Sequence, residues 1–279
     1  MIEKQNITLG HSPDPDDAFM FYGLATGALD SGPYHFEHIL QDIQTLNERA
    51  GRCELDVTAI SVHCYPYVAS DYAITRCGAS MSEEYGPMVV SRKPMSVEQL
   101  AKVNIAVPGT LTSAFLTLKL MLGREPKHTV VMFDQIIGRV ASGEFDAGLI
   151  IHEGQLTYQN QGLQCVVDLG KWWFDKEQLP LPLGCNVIRR SLGDVTCSQI
   201  SDILKRSIQY SLDHRSLAVA HALQYARDMD TELADEFVGM YVNELTLDYG
   251  HRGKIAVERL LMRARDAGLV PDCLPVNFV

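Results

Sequence analysis

Apolar and polar positions divide the 279-residue chain into short uncharged runs separated by stretches with helical spacing. Residues 7–10, 36–40, 55–61, 105–107, 130–133 and 147–151 are short, largely uncharged and bounded by turn residues, so each reads as a strand, and 71–76 and 87–91 give two further apolar segments. Helical patterns fall between them, at 43–50 before Gly51, at 96–101, at 114–122 and at 135–142. From residue 198 to 270 the spacing is helical throughout, with Leu204, Ile208, Leu212, Leu260 and Leu261 on repeating faces. Strands alternating with helices at this pitch predict an α/β protein with mainly parallel sheets. The run 147–151, set between Asp146 and Gly154, reads as a strand buried on both faces. The proline-spaced stretch 171–190 reads as an extended crossing.

A chain of this length is long for one core, and the break after the run ending at Ser91 suggests a first passage between two lobes near residue 92. A second passage near residue 186 gives a discontinuous first lobe, 1–92 with 187–279, and a second lobe, 93–186. No internal repeat or low-complexity segment interrupts this plan.

Composition narrows the partners. With 46% apolar and 21% charged residues the chain has globular character, and it lacks the run of about 18 apolar residues that a membrane helix needs. A net charge of −11 provides no basic stripe for a phosphate backbone, so nucleic acid is not expected. Seven scattered cysteines, with no CxxC pair and no zinc-ligand spacing, read as reduced packing residues, and no metal site is expected. The opening MIEKQNITLG has no basic segment leading into an apolar one, which predicts a cytoplasmic protein.

Candidate chemistry gathers at strand ends, which face the ligand crevice in open α/β sheets. His152 follows the 147–151 strand and, with an ordinary pKa near 6.5, suits a lone base. Glu153 could tune it, although neighbouring strand side chains point to opposite faces. Ser61 ends another strand. Thr112 and Ser113 open a helix that has no acid before Glu125, and an uncompensated helix N-terminus favours a carboxylate or phosphate. The alternative is a plain cap. Near the start, Asp14 can cap a helix with Pro15 in its first turn, and Asp16 and Asp17 complement its dipole, which predicts a self-satisfied end. Trp172 and Trp173 suit either an aromatic ligand or core packing. There is no P-loop, GxGxxG or GxSxG, which argues against nucleotide binding and a hydrolase triad.

SPDPDDAFMFYGL, GPMVVSR, AVPGTLTSAF, EFDAGLIIHEGQLTY and VVDLGKWW with LPLPLG together resemble the 1,4-dihydroxy-6-naphthoate synthases of the futalosine route to menaquinone. The resemblance spans nearly the whole chain. It implies a two-lobed type 2 periplasmic-binding-protein-like fold and a cofactor-independent lyase that fragments cyclic dehypoxanthinylfutalosine, a small-molecule carboxylate. By the same resemblance His152 is the base, while Ala59, Ile60, Ser61, Thr112, Ser113, Ala114 and Asp17 hold the substrate. A homodimer is possible. The family commonly reads SPCPNDTF where this chain has Asp14, Asp16 and Ala18, and commonly has Lys at the position of Ala59. A lost cation and added carboxylates would weaken an anionic ligand. Two other readings stay open on the same fold: a solute-binding or sensor protein, and a chorismate dehydratase-like enzyme.

Overall fold

The computed structural model describes residues 4–225 and 230–279. In chain order the strands are β1 (Gln5–His11), β2 (Tyr34–Leu40), β3 (Val57–Ser61), β4 (Tyr72–Ile74), β5 (Ser80–Ser82), β6 (Met88–Ser91), β7 (Ile105–Val107), β8 (His128–Val130), β9 (Ala147–Ile150), β10 (Gln164–Asp168) and β11 (Leu181–Arg189). They form two sheets. The first runs β2-β1-β3-β11-β4, with β5 also paired to β11, and the second runs β10-β6-β9-β7-β8.

Both sheets are mixed, which corrects the expectation of mainly parallel ones. β1 pairs in parallel with β2 and β3, and β7 with β8 and β9. The two strands that carry the chain from one lobe to the other, β6 and β11, enter from the opposite end and run antiparallel to every neighbour. The passages also lie earlier than residues 92 and 186. β6 already belongs to the second sheet and β11 to the first, so the chain changes sheets over residues 83–87 and again between β10 and β11.

The stretch around Trp172 and Trp173 is helical rather than extended, over Leu169–Glu177, because Asp168 accepts from the Lys171 amide at 3.0 Å and caps it. Trp173 is 1% exposed in the core and donates to the Pro180 carbonyl at 3.1 Å. The strand expected at 130–133 is shifted: β8 ends at Val130, where its partner β7 ends, and the chain turns through a 3-10 segment at Phe133–Gln135.

Side-chain alternation builds a layer on each face of each sheet. In the first, Ile7, Leu9, Val57 and Ile188 pack on the helix Asp194–Asp213, while Ile60, Tyr72, Ile74 and Val187 pack on the helix Gly250–Asp266. In the second, Val89, Ile105, Val107 and Leu149 meet the helix Ser113–Leu122, while Val90, Ala106 and Ile150 meet the helix Ile136–Ser142. The helix Ser113–Leu122 is apolar nearly all round because both lobes cover it: Phe115 and Leu118 pack on the second sheet and Leu116 in the first lobe's core. Where the passages meet, a Cβ on Gly170 would lie 1.7 Å from the Tyr85 carbonyl oxygen, and the Leu169 amide donates to the Pro87 carbonyl at 2.8 Å.

Among the described residues no helix is long and apolar enough to cross a membrane, and no cluster of His, Cys, Asp and Glu could hold a metal ion. All seven cysteines are free thiols. Cys64, Cys77, Cys185 and Cys197 are buried packing residues as expected, but Cys165 is exposed on β10, an edge strand of the second sheet.

Candidate active site

A cavity of about 750 Å³, part of it open to solvent, lies between the lobes. That is within the size range of small-molecule pockets, roughly 300–1,000 Å³. Ala59, Ile60 and Ser61 at the carboxyl end of β3 form one wall, and Thr112, Ser113 and Ala114 at the start of the second lobe's helix form another. Asp17 joins the lining with Asp14 and Asp16, and Leu183 and Asn186 enter from β11.

Hydrogen bonds decide what each group can offer a ligand. Ser61 is held by Asn47, whose Oδ1 accepts the Ser61 amide at 2.8 Å and whose Nδ2 donates to the Ser61 hydroxyl at 3.1 Å. The hydroxyl proton of Ser61 therefore stays available. Thr112 is a committed cap, its Oγ1 donating to the Gly109 carbonyl at 2.9 Å and accepting from the Phe115 amide at 3.3 Å. Ser113 is committed too: its hydroxyl donates to the Leu183 carbonyl at 2.6 Å and accepts from the His63 amide at 3.2 Å. What remains free at this helix end is backbone. The amides of Ser113 and Ala114 have no acceptor within the helix and no partner among the described residues. No acid occupies the first turn, so the helix dipole adds positive potential at the same place.

The opposite wall is acidic. The Asp17 carboxylate accepts from the Ser12 amide at 2.7 Å, yet burial, with a smaller contribution from Asp14, pushes its carboxyl up to about 7 against the pull of that amide. Burial and the neighbouring Asp17 and Asp14 hold the Asp16 carboxyl well above the usual carboxylate range. The expectation of a self-satisfied helix start is thus corrected. Asp14 makes no side-chain cap bond, and three carboxyl groups crowd one turn. Among the described residues no Lys, Arg or His lines the cavity.

His152 is placed differently from its expected position. Ile151 borders the cavity, whereas His152 is 6% exposed and is not part of the lining. The chain leaves β9 at Ile150 and turns, putting the ring edge-on to Phe133 at 5.2 Å between centroids. Nε2 lies 3.0 Å from the Phe133 carbonyl oxygen, and Nδ1 accepts from the Gly154 amide at 3.1 Å. Glu153 Oε2 is 3.4 Å from the same Nδ1. The strand-alternation argument against Glu153 fails because both residues lie beyond the strand, in the turn. Burial works to lower the His152 pKa, but Glu153, Asp14 and the Phe133 carbonyl outweigh it, and the net direction is upward.

Several groups of the site had no sequence signal. Tyr241, at the end of the helix Thr231–Tyr241, lines the cavity and donates to Gln155 Oε1 across the lobes at 2.9 Å. Gln44 of the first lobe accepts the Leu111 amide of the second at 3.2 Å. Nothing in the spacing of a long helical region marks Tyr241. Neither Trp172 nor Trp173 reaches the cavity.

Comparison with known proteins fits this architecture. A Candida albicans protein exhibiting the generic periplasmic binding protein structural fold superposes with a TM-score of 0.65 at 12% identity, over 94% of this chain and 95% of that one. A solved structure from Archaeoglobus fulgidus superposes with a TM-score of 0.91 at 41% identity, over 95% and 98% of the two chains. A 1,4-dihydroxy-6-naphthoate synthase from Thermus thermophilus is 39% identical over 264 residues, covering 94% of this chain and 95% of that one. Residues 7–266 match the family described by menaquinone biosynthesis, and the chain belongs to that family.

Proposed function

We propose that the chain is a carbon–carbon lyase that converts cyclic dehypoxanthinylfutalosine to 1,4-dihydroxy-6-naphthoate, with His152 as general base. The observation that carries this reading is the pair of unpartnered amides at Ser113 and Ala114, on an acid-free helix N-terminus that faces an interlobe cavity in a chain of this family. The ligand carboxylate sits there, its aromatic body lies against Ile43, Ile60 and Phe237, and the Ser61 hydroxyl donates to a ligand oxygen. Such amide and dipole contacts contribute on the order of 1 kcal/mol or somewhat more when partly buried.

His152 acts from the turn behind Ile151. In the reactive complex Nε2 exchanges the Phe133 carbonyl for the ligand proton, a local rearrangement of the turn. Ser113–Leu183 and Tyr241–Gln155 tie the lobes together on either side of the cavity.

His152→Asn tests the reading. Loss of a general base lowers kcat by about 10² to 10⁴, roughly 3 to 5 kcal/mol of barrier, with little change in ligand affinity. The wild-type rate rises with pH as the imidazole loses its proton. Single-turnover rates and dissociation constants on both proteins decide. A solute-binding role predicts lost affinity and no turnover in either protein, and turnover that survives the substitution removes His152 from the mechanism.

A further inference from the structure

The Nδ1 atom of His152 faces two groups that make opposite demands. The Gly154 amide, 3.1 Å away, needs a lone pair on that nitrogen. The Glu153 carboxylate, 3.4 Å away, needs a proton there. Only the second arrangement suits a base. With the proton on Nε2, as the Phe133 carbonyl at 3.0 Å requires, the ring has no lone pair to present to a ligand. With the proton on Nδ1, Nε2 is free to accept one.

We infer that Glu153 is the positioning residue of the His152 base: its buried carboxylate favours the tautomer that carries the proton on Nδ1, and supplies the counter-charge once Nε2 has taken a second proton. This rests on the reading of His152 as general base. In the step itself the proton passes from a ligand C–H to Nε2 and the electron pair stays on the ligand. The ring gains one positive charge opposite Glu153. Both side chains are 7% exposed, so solvent screens that pair little. The pocket is also tight, since a Cβ on Gly154 would lie 2.9 Å from His152 Cε1 and 2.3 Å from Ile137 Cδ1. The other charged group facing the ring is Asp14, from the turn after β1, and Asp134 on the Phe133 turn is exposed. The upward direction of the His152 pKa, against burial, agrees with a carboxylate partner.

The test has two independent arms on the full chain. In the first, ¹⁵N-histidine NMR follows His152 through a pH titration of wild type, Glu153→Gln, Glu153→Asp and the control Asp14→Asn. Glu153→Gln lowers the proton affinity of His152 about tenfold or more, the usual effect of losing an opposite charge at this range, and Glu153→Asp retains most of it. In the second arm, pH profiles of kcat/KM with cyclic dehypoxanthinylfutalosine show the acid limb moving to lower pH by the same factor in Glu153→Gln. There kcat falls by about 10- to 100-fold while KM stays nearly constant, and Glu153→Asp restores the limb. Identical titration of His152 in wild type and Glu153→Gln overturns the proposal. So does an unmoved limb with equal rate losses in both Glu153 variants, the pattern of a structural role. If wild type does not turn over this substrate, the assigned reaction falls, and the titration alone decides on Glu153.

Discussion

The hydroxyl of Ser113 donates to the carbonyl of Leu183 at 2.6 Å, which joins the first residue of a second-lobe helix to the strand that returns the chain to the first lobe. The same oxygen accepts the His63 amide, so one side chain bridges two elements of the first lobe. The bond lies at the wall where the Ser113 and Ala114 amides face the cavity. The contact between the lobes and the amides that face the cavity therefore share one residue.

Ser113→Ala should weaken binding of a carboxylate ligand modestly. It removes two hydrogen bonds, to the Leu183 carbonyl and from the His63 amide, each worth about 0.5–1.5 kcal/mol, but leaves the Ser113 and Ala114 amides and the dipole in place. Ser113→Asp should abolish binding, because it sets a negative charge on the amides meant for the ligand and faces a carboxylate toward the Leu183 carbonyl. Calorimetric titration of both variants with 1,4-dihydroxy-6-naphthoate checks this. Equal losses in the two would mean that the helix end does not hold the carboxylate.

Tyr241 and Gln155 form a second tie between the lobes, and Gln155 Nε2 is already buried without a hydrogen-bond partner. Tyr241→Phe should cost on the order of 1 kcal/mol of closure, about fivefold in ligand affinity, and should expand the ligand-free protein in small-angle scattering. Gln155→Ala should behave alike, and the double variant should lose no more than either alone. Additive losses would show that the two side chains act separately.

Which parts of this could be read from the chain follows from how local each signal is. The wall residues Ser61, Thr112 and Ser113 were legible because each ends or starts a regular element, and the sheet fixes where such ends point, whereas Ala114 came only with the family resemblance. The direction of β11 was not legible. It depends on where the chain returns from the other lobe, and nothing within LPLGCNVIR encodes that. The place of His152 was not legible, since the pattern gives the end of a strand and not the turn beyond it, where backbone groups face both ring nitrogens. Tyr241 was invisible because its partner lies 86 positions away.

Asp16 should make ligand affinity depend on pH. Its carboxyl is held well above the usual range, so it is neutral at lower pH and becomes an anion in the cavity as pH rises through its raised value. Affinity for a carboxylate ligand should then fall with rising pH, most steeply where Asp16 and, at about 7, Asp17 lose their protons. Asp16→Asn holds that position neutral and should flatten the fall while leaving affinity at lower pH nearly intact. Dissociation constants measured across this range for both proteins check it, and parallel curves would exclude Asp16 as the titrating group.

His63 predicts an acid limit on stability. It is buried in the interlobe junction with Nδ1 on the Thr112 carbonyl at 3.2 Å, and burial, with Lys119 adding to it, lowers its pKa from 6.5 to about 4. The folded protein thus binds this proton less readily than the unfolded chain. The stability His63 contributes is complete above about 6.5 and is lost as pH falls through about 4. Asp16 and Asp17, with raised values, contribute with the opposite sign, so the comparison must be made against a variant and not read from the wild-type curve alone. His63→Gln should be less stable than wild type at about pH 7.5, and the gap should narrow by roughly 2 kcal/mol at about pH 5, where only wild type must keep a buried imidazole neutral. Urea unfolding of both proteins at the two pH values measures the gap. A gap that does not change with pH would mean that His63 titrates as it does in the unfolded chain, and that its burial between the lobes costs it nothing.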